Sequence, residues 1–515
     1  MRTETFFRAA KASCNVAVAA LALCASLAAA GQCPELQKLE LAGGTYYDDF
    51  GFSVSVDGLV AVVGAHLDDT AAGTDAGSAQ VFRYDAGSGQ WLAEQQLFAS
   101  DGAAGDAFGV SVAVSGNVIA VGAYLDDTAT GADTGSVYVF RHDGSAWIEE
   151  QKITSGGASG DAFGRSVALS GDYLVVGAYL DDTTGGTDSG AAYFYKYRGS
   201  VLKWSFDGSK DGAAAGDGFG YAVAIDGSVA VVGAHDHDTA AGANAGQAYV
   251  YRNVANQWNG DGVLTASDGA ANDQFGVAVS VSGDVIAVGA FAQDNAAGND
   301  AGAAYVFRHA SNQWTEEAQL FAADGSASDR FGRAVAVDGD VIVVGADAND
   351  APGTDTGAAY LFRYIGPGCS WVQDHQLGDR NAGAYDLLGT SVAVSGGFAL
   401  AGAYLDDTGG GYDAGSVCVF GAAEIVLDVQ PTTVGAGQTV TFTTGYGDSN
   451  EPFMMAVVVP FKYFLLSYGA DCRSVLPVTV PPGIPPGTTL TFQAFELIEC
   501  ANRAASSNQV SVTFQ

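Results

Sequence analysis

Acidic side chains recur in this 515-residue sequence at spacings that could hold a metal ion. In residues 122–140, "GAYLDDTATGADTGSVYVF", Asp126, Asp127 and Asp133 lie within eight positions, and similar stretches begin at residues 64, 177 and 402. Ca²⁺ prefers several carboxylate and carbonyl oxygens in a flexible loop. The spacing therefore raises the question of whether these acids bind a cation, perform chemistry or shape a turn.

Aligning the repeated stretches gives three acidic positions in each of seven copies. The last residue of the "LDD" group is always an aspartate: Asp69, Asp127, Asp182, Asp238, Asp294, Asp350 and Asp407. Five or six residues later comes an aspartate or asparagine: Asp75, Asp133, Asp188, Asn244, Asp300, Asp355 and Asp413. The third position precedes a Phe-Gly or Leu-Gly pair by two residues: Asp48, Asp106, Asp161, Asp217, Asp273, Asp329 and Asp386.

Two interpretations of these acids stay open. In the first, Ca²⁺ is a cofactor, with these candidate ligands: Asp48, Asp69, Asp75, Asp106, Asp126, Asp127, Asp133, Asp161, Asp182 and Asp188. In the second, each aspartate accepts backbone N–H bonds within its own turn, and the Asp-x-Gly sequence supplies the left-handed residue that such turns need. We expect no other cofactor.

The repetition argues against catalysis. Glycoside hydrolysis needs two acids in different environments, and a catalytic site is normally one asymmetric constellation. The sequence also lacks a Gly-x-Ser-x-Gly elbow, a zincin motif and a phosphate-binding loop in the required context. The run "HDHD" at 235–238 is interpreted as a local variant of the loop rather than a zinc site. We therefore predict that the protein is not an enzyme and has no catalytic residues.

The elements that carry these acids are predicted to be short strands. Phe-Gly pairs, with Leu388-Gly389 as the seventh copy, recur every 55 to 58 residues, and a Gly-Ala pair follows each. Within the second copy, "VSVAV", "VIAVGA", "SVYVFR" and "WIEEQKI" alternate as strands and are separated by turn residues. Seven four-stranded antiparallel units bury both faces best as the blades of a propeller. Residues 31–422 are thus predicted to form an all-β, seven-bladed β-propeller with the acids on one face.

The N-terminus is predicted to close the ring. The seventh copy ends after "SVCVFGAAE" without a fourth strand, whereas "CPELQKLELAGG" at 33–44 has the spacing that a fourth strand requires. The first strand would then complete the last blade and leave no open sheet edge. A Cys33–Cys418 disulfide is predicted at this junction, and two buried thiols are the alternative.

The Phe-Gly and Gly-Ala pairs make the chain resemble the FG-GAP repeat family, over roughly residues 33–422. The resemblance implies the propeller of integrin alpha subunits and a binding scaffold rather than a reaction. The Asp-x-Asp-x-Asp-Gly calcium loop of the integrin-type repeats is absent here, because only "SGN", "DGL" or "DGS" joins the first two strands. The closer resemblance is to short-looped bacterial secreted proteins.

Charge and the N-terminal residues predict the compartment and exclude some partners. The formal net charge is −37, which disfavours nucleic acid and anionic lipid. Arg2, Arg8 and Lys11 precede an apolar run that ends in Ala28-Ala29-Ala30, as in a signal peptide. We predict a signal peptide over 1–30 and a secreted chain, extracellular, periplasmic or at the cell surface, with no membrane span after cleavage. An uncleaved anchor is the competing interpretation.

Residues 423–515 differ in composition, with five prolines between Pro477 and Pro486 and about seven short strand candidates. We predict a small immunoglobulin-like β-sandwich in which Cys472 and Cys500 pair, while the state of Cys369 is left open. The predicted function is a non-enzymatic, monomeric adhesion or binding scaffold for a protein or glycan. A secreted lectin or glycoside hydrolase using the acidic face is the alternative. Tyr124, Tyr179 and Tyr404 are the candidate aromatic contacts.

Overall fold

The computed structural model describes side chains from Glu35 to Ala422, except 200–202, 352 and 365–370. Residues 32–33 and the strands between 426 and 514 are described by their backbone. Seven antiparallel sheets follow one another along residues 50–422, and they are called blades 1 to 7 in chain order. The predicted all-β, seven-bladed propeller is confirmed.

In each blade the strands are hydrogen-bonded in chain order. Blades 1 and 2 contain Phe50–Asp57, Val60–Ala65, Ser78–Asp85 and Gln90–Leu97, then Phe108–Ser115, Val118–Ala123, Ser136–His142 and Trp147–Ile153. Blades 3 and 4 contain Ser166–Ser170, Tyr173–Ala178, Ala191–Arg198 and Lys203–Asp211, then Val223–Asp226, Val229–Ala234, Gln247–Val254 and Gln257–Leu264. Blade 5 contains Ala278–Ser282, Val285–Ala290, Ala303–Ala310 and Gln313–Leu320.

Near the end of the propeller, two strands lie beside strands from the N-terminus of the chain. Blade 6 begins with Ala334–Asp338, Val341–Ala346 and Ala358–Tyr364. The next strand in the sequence, Trp371–Leu377, lies beside Gln32–Cys33. Blade 7 contains Ser391–Ser395, Phe398–Ala403 and Ser416–Gly421, and its fourth strand is Gln37–Leu39. The prediction that an N-terminal strand closes the last blade is therefore confirmed.

The repeated glycines mark where adjacent blades touch. A methyl group on Gly122 would lie 2.0 Å from the carbonyl oxygen of Gly164, which belongs to the Phe-Gly pair of the next blade. The same approach joins every pair of neighbouring blades: Gly64–Gly109, Gly122–Gly164, Gly177–Gly220, Gly233–Gly276, Gly289–Gly332, Gly345–Gly389 and Gly402–Gly51. Only glycine permits such backbone contact, so the two motifs of the sequence meet in space and close the ring.

Apolar side chains fill the interfaces between blades. Phe108 is fully buried among residues of blades 1 and 2, including Val81, Leu97 and Tyr138. The interface between blades 7 and 1 is built in the same way, with Leu39 of the N-terminal strand packed beside Phe50. The first strands contact one another in sequence around the ring, so they surround its axis. The strand alternation that predicts the sheet also supplies this core.

The predicted Cys33–Cys418 disulfide is wrong. Cys418 is a free, buried cysteine, and the residue paired with it across the ladder is Lys38. Cys33 instead belongs to the strand beside Trp371–Leu377. The offset to the Phe-Gly pair identified the closing segment correctly, but the strand that pairs with Ser416–Gly421 is Gln37–Leu39 and does not include Cys33. The thiol of Cys418 has a pKa raised by burial.

The C-terminal strands form two sheets. One contains Val426–Gln430, Thr439–Gly445 and Arg473–Thr479, and the other contains Thr433–Val434, Arg503–Phe514, Thr489–Ile498, Phe453–Val459 and Lys462–Tyr468. An immunoglobulin-like sandwich stays a prediction. The predicted signal peptide at 1–30 lies outside the described residues, and so do Cys369, Cys472 and Cys500. Among the described residues, no helix is long and apolar enough to cross a membrane.

Candidate functional site

The aspartates that follow the second strands act as caps of their own turns. Asp127 Oδ1 accepts a hydrogen bond of 3.0 Å from the backbone N–H of Asp133. The same bond recurs in every blade from the aspartates equivalent to Asp127. Asp133 has φ = 52°, and its equivalents lie between 49° and 53°. Asp and Asn tolerate this left-handed conformation better than most residues, which explains both recurrent positions without a metal.

The aspartates before the Phe-Gly pairs cap a second turn. Asp106 Oδ2 accepts a 2.7 Å hydrogen bond from the N–H of Ala103, three residues earlier. Equivalent bonds form at the other six positions. Burial raises the pKa of Asp106, and it raises the pKa of Asp386 to about 6. These carboxylates are therefore placed by backbone contacts within their turns.

None of the ten predicted calcium ligands belongs to a compact group of three possible metal ligands among the residues that the structure describes. Among the described residues, groups of three ligand atoms within 4.8 Å of one another are Glu35, Asp379 and Cys418, and Asp379, Asp386 and Asp406. Both groups lie at the junction of blade 7 with the N-terminal strand. Calcium binding at the predicted positions stays a prediction.

In two blades a lysine ammonium lies among the acids. Lys38 Nζ is 2.6 Å from Asp379 Oδ2 and 2.6 Å from Asp406 Oδ2. In blade 2, Lys152 Nζ is 2.8 Å from Asp101 Oδ2 and 2.7 Å from Asp126 Oδ2. Burial opposes the charge on Lys38, but the two carboxylates outweigh it and raise the pKa of its ammonium. In blade 2 the lysine ammonium thus contacts Asp126, one of the predicted calcium ligands.

The axis of the same face is asymmetric. The residue after each Phe-Gly or Leu-Gly pair projects there, and it differs around the ring: Phe52, Val110, Arg165, Tyr221, Val277, Arg333 and Thr390. These residues and the two that follow each of them line an axial cavity of about 220 Å³. The residues after the Gly-Ala pairs differ as well: His66, Tyr124, Tyr179, His235, Phe291, Asp347 and Tyr404.

Two arginines meet at a tyrosine in this axial cavity. Arg165 Nη2 donates a 3.1 Å hydrogen bond to Tyr221 Oη, and its guanidinium carbon lies 4.7 Å from the centre of the Tyr221 ring. Burial favours the neutral phenol, but the charges of Arg165 and Arg333 prevail and lower the pKa of Tyr221. Both guanidinium groups therefore act on this hydroxyl, Arg165 more strongly than Arg333.

Acids at the axis are held by nearby partners. Asp347 Oδ2 lies 3.5 Å from Arg333 Nε, and its Oδ1 lies 3.7 Å from Arg330 Nη1. Burial still raises the pKa of Asp347 despite these arginines. Asp236 contacts His235 at 3.2 Å and accepts a hydrogen bond from Gln274.

Aromatic rings and neutral imidazoles surround the arginines. The rings of His66 and Phe52 are tilted with their centres 4.3 Å apart, and those of His235 and Tyr221 are arranged in the same way at 4.3 Å. Burial, followed by the charge of Arg165, lowers the pKa of His66 to about 4. Tyr404 packs 5.5 Å from Phe52, and Tyr179 packs 5.5 Å from Tyr221. Two of the predicted aromatic contacts, Tyr179 and Tyr404, are therefore at the axis.

The histidines of "HDHD" point to different places. His235 belongs to the axial cluster, whereas His237 Nδ1 lies 3.0 Å from Asp217 Oδ2 in the turn before the Phe-Gly pair. Neither histidine belongs to a three-ligand group in the described chain. The local variant of the loop is the interpretation that these contacts fit.

Three exposed tyrosines, called the seam tyrosines, lie where blade 7 meets blade 1. Tyr46, Tyr47 and Tyr412 are 60%, 61% and 66% exposed, and the rings of Tyr46 and Tyr412 are 6.1 Å apart. A backbone bond from Tyr47 to Tyr412 holds the two turns together. At the position of Tyr46 the other copies carry alanine or serine, and at that of Tyr412 alanine, threonine or asparagine.

Sequence reasoning missed the axial arginines and the seam tyrosines. Recurrence identifies the acidic turn residues, whereas the axial arginines and the seam tyrosines are residues that differ from the repeat. The available signal was the position after the Phe-Gly pair, where Arg165, Tyr221 and Arg333 interrupt an otherwise small or apolar series. A side chain that departs from the repeat at an axial position is free of the turn and packing requirements that make the other positions uniform.

Two solved structures are weakly similar to the chain. The periplasmic gluconolactonase of Pseudomonas aeruginosa is 15% identical, with a TM-score of 0.40 over 63% of this chain and 85% of that one. The β-propeller domain of the trilobed protease from Pyrococcus furiosus is 8% identical, with a TM-score of 0.36 over 65% and 88%. Such weak similarities carry no inference about activity. No curated protein matches the sequence.

The repeat itself identifies the family. The FG-GAP repeat matches seven segments that cover most of the chain: residues 34–82, 91–140, 147–195, 209–251, 258–307, 314–362 and 371–420. Each match begins at the fourth strand of one blade and ends in the third strand of the next, and the first match begins with the N-terminal strand that completes blade 7. The chain belongs to the FG-GAP repeat family.

Proposed function

We propose that the protein is a secreted or surface-associated, non-enzymatic binding module whose acidic face takes a glycan or a protein partner. The observation that carries the proposal is the group of seam tyrosines. Tyr46, Tyr47 and Tyr412 are more than half exposed, and at the positions of Tyr46 and Tyr412 the other copies carry only alanine, serine, threonine or asparagine. Tyrosine offers a large apolar surface with a hydrogen-bonding tip, and it is enriched where proteins bind partners.

The fold supports this role through rigidity. Tyr47 donates its backbone N–H to the carbonyl of Tyr412 at 3.2 Å, so the strand that closes the ring also fixes the tyrosines. Preorganised aromatic side chains lose little conformational freedom on binding. The proposed surface would therefore depend on ring closure as well as on the tyrosines themselves.

Binding to arrays of glycans and extracellular proteins tests the proposal. The full chain should bind at least one class of partner, and the double variant Tyr46→Ala/Tyr412→Ala should weaken that binding about tenfold or more, as expected for truncated aromatic anchors. Phe206→Ala, which removes an exposed aromatic residue from the fourth strand of blade 3, is the matched control. Partner binding that survives the double variant and is lost in the control would overturn the proposal.

A carbohydrate-active enzyme is the second candidate, and Asp347 is the observation that favours it. Its pKa is raised by burial at an asymmetric axial cavity, a pattern found in catalytic acids. The candidate predicts release of reducing sugar from a polysaccharide and loss of that activity in Asp347→Asn. Binding without hydrolysis over prolonged incubation would reject it in favour of the binding module.

A further inference from the structure

We propose that the axial cavity binds the carboxylate group of an acidic sugar, with Arg165 as the principal anchor and Arg333 beside it. This inference rests on the proposed binding function and names the chemistry of one ligand class. It uses the axis rather than the seam tyrosines, so the two can be tested separately.

The arginines at the outer part of the blades show what is unusual about Arg165. Arg83, Arg141, Arg252 and Arg308 each contact an acid of the neighbouring fourth strand at 2.8 to 3.0 Å. Arg165 contacts the Tyr221 hydroxyl and the rings of Tyr221 and Phe52. Within the described part of the chain, no carboxylate lies within salt-bridge distance of its guanidinium. In a chain of net charge −37, this arginine has no acid partner where acids are abundant.

The charges facing the cavity leave room for one anion. Asp347 lies between Arg330 and Arg333 and offsets most of one charge. Asp236 accepts a hydrogen bond from Gln274 and lies 3.2 Å from His235, while burial raises the pKa of Asp49 to about 7 and so reduces its charge near neutral pH. Arg165 and Arg333 still converge near the hydroxyl of Tyr221, and like charges brought together repel. A single negative charge between them would relieve this repulsion, so the site suits a carboxylate better than a doubly charged phosphate.

The shape of the site favours a carboxylate attached to a sugar ring. A guanidinium presents parallel N–H donors that match the two oxygens of a carboxylate. The cavity of about 220 Å³ has room for a small ring, and its walls below the arginines are valine, alanine and serine. The serine hydroxyls are already used, since Ser53, Ser111 and their equivalents donate to glycine carbonyls of the next blade.

The rings at the mouth of the cavity complete the argument. Phe52, Tyr404, Tyr179 and Tyr221 form two edge-to-face pairs whose centres are 5.5 Å apart. Aromatic faces pack against the C–H surfaces of a sugar, while the arginines would hold its acidic group. A free organic acid shares the carboxylate but lacks the ring, and the experiment below separates these two sources.

Calorimetric titration of the full chain with D-glucuronate, D-glucose and acetate tests the inference. We expect glucuronate to bind at least about tenfold more tightly than either glucose or acetate, with an affinity that falls as salt is added. Arg165→Gln should reduce glucuronate affinity about tenfold or more, which corresponds to about 1.4 kcal/mol. Arg165→Lys, which keeps the charge but loses the fork, should lie between the two.

Arg83→Gln is the matched control, because it removes the same charge from an arginine paired with Glu94 at 3.0 Å and should leave glucuronate binding unchanged. Circular dichroism and thermal unfolding establish that each variant is folded. If Arg165→Gln does not fold, Arg165→Lys and Arg333→Gln supply the comparison.

Equal binding of glucuronate and glucose would overturn the inference, and so would undiminished glucuronate binding by the folded Arg165 variants. Acetate that binds as tightly as glucuronate would assign the site to free carboxylates and reject the sugar. The double variant Tyr46→Ala/Tyr412→Ala should keep glucuronate affinity. If a partner binds through the seam tyrosines but the chain does not bind glucuronate, this inference is rejected and the proposed function is retained.

Discussion

The turns of the acidic face carry the same capping aspartates in every blade, whereas the axis carries different residues. In the turns, Asp127 and its six equivalents make the same bond to a backbone N–H in every blade. At the axis, the seven residues that follow the Phe-Gly or Leu-Gly pairs include valine, arginine, tyrosine, phenylalanine and threonine. A position whose partner is its own backbone has to be the same in each copy. A position whose partners are other side chains can differ, and function can be added there.

The same contrast separates the cations of the molecule. Arg83 and Arg141 on the third strands, and the lysines Lys38 and Lys152, face carboxylates. Arg165 faces a phenol and aromatic rings. Charge alone therefore does not mark the candidate site. Arg165 is distinguished by its place at the axial cavity together with its neutral and aromatic partners.

The largest expected effect is the loss of unfolding free energy when Lys38 is replaced. It tests whether the blade that closes the ring depends on a buried ion pair more than an ordinary blade does. Lys38→Met leaves Asp379 and Asp406 without their cation, and these side chains are only 1% and 4% exposed. Breaking a buried ion pair by removing one partner costs about 3–5 kcal/mol. We expect a loss of this size in the free energy of unfolding, measured with urea at pH 7.

Lys152→Met is the control for this prediction. Lys152 also contacts two carboxylates, of which Asp126 is only 5% exposed but Asp101 is 56% exposed, so water can replace the contact with Asp101 and the loss should be smaller than for Lys38. Its loss should cost about 1 kcal/mol, as for a partly exposed pair. Equal losses in the two variants would contradict the view that the closing strand depends on a buried ion pair.

The fold could be predicted from the sequence because the same strand and glycine pattern recurs in all seven copies. Gly122 and Gly164 are required by one backbone contact, and the same requirement at every interface leaves a periodic signal. The closing strand was predictable for the same reason, since Leu39 occupies the place of Leu97 in the pattern. The cysteine pairing was not, because cross-strand register at a single site is not periodic.

The axial site could be predicted only in part. Tyr179 and Tyr404 could be predicted because they lie beside the acidic loops in the sequence, whereas Arg165 and Arg333 come from blades 3 and 6 and are distant in the sequence. Which side chains meet across the axis depends on closure of the ring, and the repeat pattern does not specify that contact.

The next largest effect is a pH dependence that belongs to the axis. The pKa of His66 is lowered to about 4 by burial and by Arg165. Because the folded state disfavours the protonated imidazole, the contribution of His66 to stability is complete above about pH 6.5 and declines as the pH falls towards 4. Relative to His66→Phe, the parent chain should lose of order 2 kcal/mol of unfolding free energy between pH 7 and 4.5.

Urea unfolding at both pH values measures this difference. His142→Phe, which removes a histidine beside Glu94 at the outer strands, provides the comparison with the periphery. A difference between the parent and His66→Phe that stays constant with pH would show that the axis does not hold this imidazole neutral.

The smallest effect decides what the acidic turns do. Asp127→Ala removes the acceptor for the N–H of Asp133, and loss of one such bond costs about 1 kcal/mol. We expect this loss in chelator, since the bond needs no metal.

If calcium also binds the turn, millimolar Ca²⁺ should raise the Tm of the parent chain, because a ligand of the folded state stabilises it, and Asp127→Ala should reduce that rise. Asp143→Ala, which removes a turn cap at the opposite end of blade 2, should leave any calcium effect intact. A parent Tm that is the same in calcium and chelator would reject the calcium interpretation and leave the turns with a structural role, which would widen the difference between the repeated periphery and the unique axis.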